Sequence, residues 1–225
     1  MPAVIVTGAN RGIGQEFARQ YAKDGWQVIA TVRDPAEASE LRGIGGGIRI
    51  EPLEMADHAA LARFPERLKG QPIDVLICNA GMSGPRGGTE DLEPDGWLTT
   101  LAVNAVAPTV LAAALLPNVE AARGKMIAIS SRMGSIADNE SGGYIAYRTS
   151  KAALNAGWRS VAIDLRDRPV SIAMFHPGWV QTDMGGPNAQ ISPTQSVSSM
   201  RKVIETLDKD RAGSFFNYDR TVIPW

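Results

Sequence analysis

The chain has 225 residues, with 23 basic and 24 acidic side chains for a formal charge of -1, and 44% of its residues are hydrophobic. A chain of this size can bury enough surface to fold around one core without disulfides or metal. The near-zero charge provides no basic patch for nucleic acid or anionic lipid, so we expect neither a nucleic-acid nor a membrane partner. The single cysteine, Cys78, and two histidines form a poor zinc ligand set, so we predict no metal site.

The first residues carry no positive charge before their short apolar run, and Gly8 interrupts that run too early for a signal peptide. This pattern predicts a cytoplasmic protein. Residues 96–119 carry no charge and are long enough to span a bilayer. Because this stretch contains Asn104, Pro108 and Pro117, it is more typical of a buried helix.

Short apolar runs alternate with longer helical patterns, which is typical of repeated βαβ units and a parallel sheet. The predicted strands are 3–7, 27–32, 48–53, 75–79, 126–130, 170–175 and 214–218. The predicted helices are 12–24, a short helix opened by Asp34-Pro35, and 57–68, 94–116, 146–166 and 196–207. We predict one domain over residues 1–225, an α/β Rossmann fold whose doubly wound parallel sheet has about seven strands with helices on both faces.

A glycine-rich segment from Thr7 to Gly14 joins the first strand to the first helix. Glycines let a backbone approach a ligand closely, and free N–H groups at a helix N-terminus bind phosphate oxygens. The spacing is G-x-x-x-G-x-G rather than G-x-G-x-x-G, so a purely structural turn stays an alternative. We predict that this segment binds a dinucleotide pyrophosphate through Gly8, Asn10, Arg11, Gly12, Ile13 and Gly14.

The end of the second strand indicates which dinucleotide binds. An acidic residue there binds the adenosine ribose, whereas arginine suits a 2'-phosphate. Here Arg33 ends the strand, Arg11 lies in the glycine loop, and the rival acid Asp34 is accounted for as a helix cap. The alternative is a pair of solvated arginines. NADP(H) is therefore favoured, with NAD(H) left open.

Tyr147 and Lys151 are four residues apart and lie on one face of a predicted helix. A phenol with a reference pKa near 10 is a poor acid and base at neutral pH, but a nearby positive charge stabilises its phenolate. A shift of about three units requires roughly 4 kcal/mol, which a lysine and a bound cationic nicotinamide could supply together. The rival phenol Tyr144 is followed four residues later by Arg148 rather than lysine.

These motifs resemble those of the short-chain dehydrogenase/reductase superfamily over almost the whole chain. The matching elements are Thr7 to Gly14, Asn79-Ala80-Gly81, Asn104, Ser131, Tyr147 with Lys151, and Pro177-Gly178. Within the superfamily, residues 134–139, 147–155, 182–186 and 222–225 are most similar to the C-factor and sniffer-like carbonyl reductase branch.

The resemblance implies hydride transfer from NADPH to the carbonyl of an aldehyde or ketone, and the reverse alcohol oxidation. It implies that Tyr147 donates the proton, Lys151 lowers the pKa of Tyr147 and binds the ribose, Ser131 binds the carbonyl oxygen, and Asn104 anchors a relay water. The remaining cofactor contacts it implies are Met55 through its backbone, Asn79, Ala80, Gly81, Pro177, Gly178, Val180 and Thr182. Glu54 stands where the family commonly has an adenine-binding aspartate.

Two departures from the family pattern concern the substrate side. Ser131 precedes Tyr147 by about three residues more than is usual, so the loop between them must bulge. The segment from Asp183 to Ser196 is short and polar, which predicts an open substrate site.

The resemblance also implies a homodimer or homotetramer formed through the two long helices. A second hypothesis is an NAD(P)-binding, C-factor-like signalling protein with little or no turnover. The matches at Asn104, Ser131, Tyr147 and Lys151 favour catalysis on a small-molecule carbonyl or alcohol substrate.

Overall fold

A computed structural model describes all residues from 1 to 225. The strands are β1 (Ala3–Thr7), β2 (Gln27–Val32), β3 (Ile48–Pro52), β4 (Val75–Cys78), β5 (Lys125–Ile129), β6 (Ser171–His176) and β7 (Ser214–Asn217). The helices are α1 (Gly12–Lys23), α2 (Ser39–Ile44), α3 (His58–Arg63), α4 (Pro94–Leu101), α5 (Ala107–Ala121), α6 (Ile145–Asp164) and α7 (Pro193–Glu205).

All seven strands pair in parallel in the order β3-β2-β1-β4-β5-β6-β7. Successive residues of a strand face opposite sides of the sheet, so Ile5 of β1 joins one core while Val4 and Val6 join the other. The first core includes residues of α3, α5 and α6, and the second includes residues of α1, α2 and α7. The predicted doubly wound parallel fold is confirmed.

The strand order reverses between β1 and β4. The chain moves from β1 outward through β2 to β3, and then returns to build the other half of the sheet from β4. In such sheets, ligands bind in the crevice beyond the carboxyl ends of the strands at this switch point. The glycine loop after β1 and the segment after β4 both begin there.

The long apolar helix differs from its prediction. It is interrupted by a π-helical turn, Ala102–Val106, in which the Ala107 N–H bonds to the Ala102 carbonyl five residues back. The stretch Pro94–Ala121 is long and apolar enough to cross a membrane by length and composition. Leu111, Leu115 and Val119 are nevertheless fully buried in the first core, as expected for a helix of the fold interior.

Two other helix boundaries also differ from the prediction. The segment predicted as 57–68 is divided into α3 and a 3-10 turn, Phe64–Leu68, because Pro65 cannot donate a backbone hydrogen bond. Helix α7 begins three residues earlier than predicted because Ser192 caps it, accepting a hydrogen bond from the Gln195 N–H at 3.1 Å.

Candidate active site

Side-chain hydrogen bonds join the carboxyl ends of β1 and β4. Thr7 Oγ1 accepts hydrogen bonds from the main-chain N–H groups of Asn79 and Ala80, both at 3.0 Å. Asn79 Nδ2 donates to the carbonyls of Thr7 at 2.9 Å and Gly8 at 3.2 Å. The predicted element Asn79-Ala80-Gly81 therefore fixes the start of the glycine loop.

The glycine loop ends in a helix terminus suited to an anion. Helix α1 begins at Gly12, its N-cap Arg11 makes no side-chain cap, and its first turn has no acidic residue. A Cβ on Gly14 would lie 2.5 Å from Asn79 Nδ2, so a side chain there would displace the loop. Asn10 contributes its carbonyl to Gln15 Nε2 at 3.4 Å, and Ile13 packs against the second core. The N–H groups of this turn fit a pyrophosphate.

The two arginines predicted to bind a 2'-phosphate have different surroundings. Arg33 is exposed directly after β2, and its side chain makes no ion pair or hydrogen bond. Arg11 pairs with Asp183 at 2.8 Å, with both side chains largely exposed. Asp34 accepts a hydrogen bond from the Ala36 N–H at 2.8 Å, which confirms its predicted capping role. Arg33 is therefore the freer of the two cations.

The structure places Ser131 beside Tyr147 and Lys151, although the serine lies 16 residues before the tyrosine in the sequence. Ser131 follows β5, whereas Tyr147 and Lys151 lie in the first two turns of α6. The Ser131 side chain lies close enough to the Tyr147 phenol to lower its pKa. The Lys151 Nζ lies 5.8 Å from the centroid of the Tyr147 ring. The longer loop between the serine and the tyrosine thus still places the two side chains next to each other.

Lys151 is buried, and its position is fixed by one backbone hydrogen bond. Its Nζ donates to the Ile129 carbonyl at 2.8 Å. Burial lowers the pKa of Lys151 to about 8. An ammonium group has three donors, so two remain for other partners.

Burial raises the pKa of the Tyr147 phenol, and the neighbouring Ser131 side chain offsets part of that increase. Among the chain's own groups, burial therefore has the larger effect on the Tyr147 pKa. A further positive charge beside Tyr147 would lower its pKa.

Asn104 lies in the π-helical turn and is almost completely buried. Its Oδ1 accepts from the Met82 N–H at 2.9 Å, and its Nδ2 donates to the Met82 carbonyl at 2.8 Å and to Ser150 Oγ at 3.0 Å. A Cβ on Gly81 would lie 3.1 Å from Asn104 Oδ1 and 3.6 Å from Lys151 Nζ. Gly81 therefore leaves room for the asparagine and the lysine to approach each other.

The other predicted cofactor contacts border the same crevice or the end of β3. Glu54 Oε1 accepts from the Ala56 N–H at 3.0 Å, so its carboxylate already serves a turn, while Met55 is buried. Pro177 is fixed through its carbonyl by Ser196 Oγ at 2.5 Å, and Gly178 has a positive φ of 86°. A Cβ on Gly12 would lie 3.2 Å from Thr182 Cγ2, which places the segment after Val180 over the glycine loop.

Several residues of the site were not predicted from the sequence. Trp179 is half exposed, and its Nε1 donates to the Gly185 carbonyl at 2.8 Å. Asp183 pairs with Arg11, and Met82 and Ser150 bind the Asn104 amide. Trp179 could have been singled out as a large apolar residue directly after Pro177-Gly178. The other contacts join distant positions through ordinary polar residues or main-chain atoms and leave no sequence signal.

Comparison with known proteins identifies the family. Residues 2–192 match the family model for short chain dehydrogenase. The chain is 44% identical to C-signal from Myxococcus xanthus over 155 residues, which is 68% of this chain and 93% of that protein.

Solved structures of carbonyl reductases cover the whole chain. Carbonyl reductase Sniffer of D. melanogaster superposes with a TM-score of 0.92 at 32% identity, with all of both chains covered. The NADPH-bound carbonyl reductase from chicken fatty liver superposes with a TM-score of 0.90 at 34% identity, covering 100% of this chain and 99% of that one. Together with the glycine loop, the Asn79-Ala80-Gly81 element and the serine, tyrosine and lysine at one end of the sheet, these matches show that the chain belongs to the short-chain dehydrogenase/reductase family, in its C-factor/sniffer-like branch.

Proposed function

We propose that the protein is an NADPH-dependent oxidoreductase that transfers a hydride to the carbonyl carbon of an aldehyde or ketone and catalyses the reverse alcohol oxidation. The observation that carries this proposal is that Ser131 and Tyr147 lie side by side, next to a buried Lys151, at the carboxyl edge of the sheet. The likeness to carbonyl reductases supports the reaction class.

The choice of cofactor rests on the residues that would bind the pyrophosphate and the 2'-phosphate. The uncapped start of α1 would bind the pyrophosphate, and the unpaired guanidinium of Arg33 would bind the 2'-phosphate. Arg11 would contribute as well, although it is shared with Asp183. The chicken carbonyl reductase is NADPH-bound, which supports the same preference here, with NAD(H) as the alternative.

The bound nicotinamide would supply the hydride, while the protein positions the substrate and supplies the proton. Tyr147 would donate that proton to the carbonyl oxygen, a contribution on the order of 10² to 10⁴ in rate. Ser131 would donate a hydrogen bond to the same oxygen as negative charge develops on it. The two remaining donors of Lys151 would bind the ribose hydroxyls and a water that replaces the proton.

Asn104 would hold the water that links Lys151 to solvent. Both N–H donors of its amide are already used, by the Met82 carbonyl and Ser150 Oγ. The water is therefore bound by an oxygen of Asn104, either the second lone pair of Oδ1 or the main-chain carbonyl in the π-helical turn.

We also propose that the protein is a cytoplasmic homodimer or homotetramer formed through the long helices. Three apolar side chains on these helices are exposed: Leu98 by 64%, Val106 by 44% and Ile163 by 46%. Covering such side chains in a symmetric interface removes apolar surface from water.

The similarity to C-signal favours a second candidate, an NAD(P)-binding signalling protein with little turnover. The test that separates the two is NADPH consumption with a broad panel of aldehydes and ketones, followed by absorbance, alongside direct NADPH titration. We expect turnover with at least one class of carbonyl compound. Normal NADPH binding with no turnover across the panel would reject the reductase and favour the signalling protein.

A further inference from the structure

The turn that carries Ser131 is held on its inner side by α6. We call residues 131–135 the serine turn; its Ser131 Oγ accepts a hydrogen bond from the Met133 N–H at 3.2 Å. Gly134 packs so closely on α6 that a Cβ there would lie 2.7 Å from the Lys151 carbonyl carbon. The Asn155 amide donates to the Gly134 carbonyl at 3.4 Å and accepts from Ser130 Oγ at 2.7 Å. The inner contacts thus connect the turn to the helix that carries Tyr147 and Lys151.

The outer side of the serine turn is contacted by a segment that is far away in sequence. Residues 221–225, which we call the strap, run back along β7. The Thr221 carbonyl accepts from the Asn217 N–H, and the Ile223 N–H donates to the Phe215 carbonyl, both at 2.8 Å. Ile223 is buried in the first core, and the Trp225 ring stacks on Phe215 with centroids 5.9 Å apart. The strap is therefore anchored to the sheet by backbone and side-chain contacts.

Three donors from the serine turn and the loop after it converge on one oxygen of the strap. The main-chain oxygen of Trp225 accepts hydrogen bonds from Ile136 N–H at 2.5 Å, Ala137 N–H at 3.1 Å and Ser135 Oγ at 3.2 Å. Ser135 is buried, and its Oγ also accepts from the Asp138 N–H at 3.1 Å. The exit of the serine turn is thus fixed to the strap.

The strap contacts the serine turn at the beginning of a long irregular loop. Between the 3-10 turn, Arg132–Gly134, and the start of α6 at Ile145, the loop contains no helix or strand. Gly142 and Gly143 in this loop both have positive φ values, which are turn conformations. A long irregular loop does not by itself fix the position of a side chain at its start.

We propose that the strap positions Ser131, so that Ser135 and Trp225 are positioning residues for the reaction although neither is a catalytic residue. This inference rests on the proposed function, because it assigns a role to the strap only if Ser131 binds the substrate oxygen. The inner contacts to α6 and the outer contacts to the strap would together keep the Ser131 hydroxyl beside the Tyr147 phenol.

The test compares Ser135→Ala and Trp225→Ala with two controls. Trp225→Phe keeps an aromatic ring to stack on Phe215, and Val222→Ala changes a strap side chain that is 65% exposed. We expect the first two variants to lower kcat by up to about 10²-fold, as expected for a displaced catalytic group, with the Kd for NADPH unchanged. Both controls should stay close to the original protein.

The pH dependence of alcohol oxidation separates positioning from mere loss of folded protein. This direction uses the phenolate of Tyr147, whose pKa is raised by burial and partly lowered by the Ser131 side chain, and whose ring centroid lies 5.8 Å from Lys151 Nζ. Loosening the Ser131 contact should therefore move the rising limb of the profile to higher pH in Ser135→Ala and Trp225→Ala. A partly unfolded sample would lower the rate without moving that limb.

Failure of the proposed function and failure of the proposed role of the strap give different results. If the original protein turns over no carbonyl compound, the proposed function fails. If it is active and Ser135→Ala and Trp225→Ala keep both its kcat and its pH profile, the proposed role of the strap is wrong. A lower kcat with an unmoved pH profile would also overturn it, since Ser131 would then still contact Tyr147 as before.

Discussion

Burial favours the uncharged forms of both Tyr147 and Lys151, but with different consequences. The raised pKa of Tyr147 keeps the phenol protonated at neutral pH, which is the form that donates a proton to a carbonyl oxygen. The pKa of Lys151, lowered to about 8, leaves most of the ammonium charged at neutral pH and lets that charge be lost as the pH rises past about 8. Proton donation by Tyr147 and electrostatic support by Lys151 are therefore available together at neutral pH.

This pair predicts the pH dependence of carbonyl reduction. We expect kcat/KM with NADPH to be level near neutral pH and to fall as the pH rises through about 8, because the Lys151 ammonium is lost there. The measurement is a series of initial rates over buffers of constant ionic strength. In Lys151→Met, which should be far less active, the remaining rate should lack this fall. A fall of the same position and size in Lys151→Met would assign it to another group.

A second residue-scale prediction concerns Arg33. Because its guanidinium has no partner within the chain, Arg33→Ala should weaken NADPH binding by about 10- to 100-fold, the loss expected for hydrogen bonds to a charged group. NADH binding should be unchanged, and both are measured by fluorescence titration. Arg63→Ala, which removes an exposed cation at the end of α3, is the control. Equal losses for NADPH and NADH in Arg33→Ala would argue against the 2'-phosphate contact.

Residue types and local spacing revealed part of the site in advance. The four-residue spacing of Tyr147 and Lys151 was sufficient to predict that they share a helix face. The pairing of Arg11 with Asp183 joins positions 172 residues apart and depends on how the segment after β6 folds over the glycine loop. No local pattern contains that information.

The glycine loop lies where the ends of β1 and β4 meet the start of α1. Thr7 and Asn79 connect the two strands, and Gly14 lets the first turn of α1 pass beside the Asn79 amide. The loop shape is therefore fixed by its neighbours.

Gly14→Ala tests this arrangement. A Cβ 2.5 Å from Asn79 Nδ2 must displace either the loop or the asparagine. We expect the free energy of unfolding to fall by about 1–3 kcal/mol, as in other overpacked sites, and NADPH affinity to fall with it. Gly43→Ala is the control, because a Cβ there meets nothing within 4 Å. Denaturant unfolding and NADPH titration give the two values; a variant unchanged in both would contradict the close approach.

The helix boundaries show which features of the fold the sequence patterns did not predict. Residues 96–119 contain no charged residue, so nothing in the pattern marks the π-helical turn at Ala102–Val106. That turn is accompanied by tertiary contacts, namely the bonds of Asn104 to Met82 and Ser150. The cap at Ser192, in contrast, was a readable signal of an earlier start for α7.

At the scale of the whole molecule, the parallel sheet was predictable because most of its strands are buried on both faces and appear as apolar runs. The edge strand β3, with Arg49 and Glu51, is only partly buried. The order of the strands was not contained in those runs. It follows from the switch point between β1 and β4, where the halves of the sheet join and the glycine loop lies.

Cofactor binding across these two halves should stabilise the whole fold. At an NADPH concentration of about 100 times its Kd, mass action adds about 2.7 kcal/mol. For a protein of this size that corresponds to a rise in Tm of about 5–11 °C. Thermal unfolding followed by circular dichroism measures it, with NADH at the same concentration as the comparison. A larger rise with NADH would reverse the proposed cofactor preference.

The central claim is that the phenol of Tyr147 supplies the proton, and Tyr147→Phe tests it most directly. The variant keeps the ring and removes only the hydroxyl, so NADPH binding should be unchanged while kcat for carbonyl reduction falls by about 10² to 10⁴. A Tyr147→Phe protein that binds NADPH and reduces the same substrate at the original rate would contradict the account.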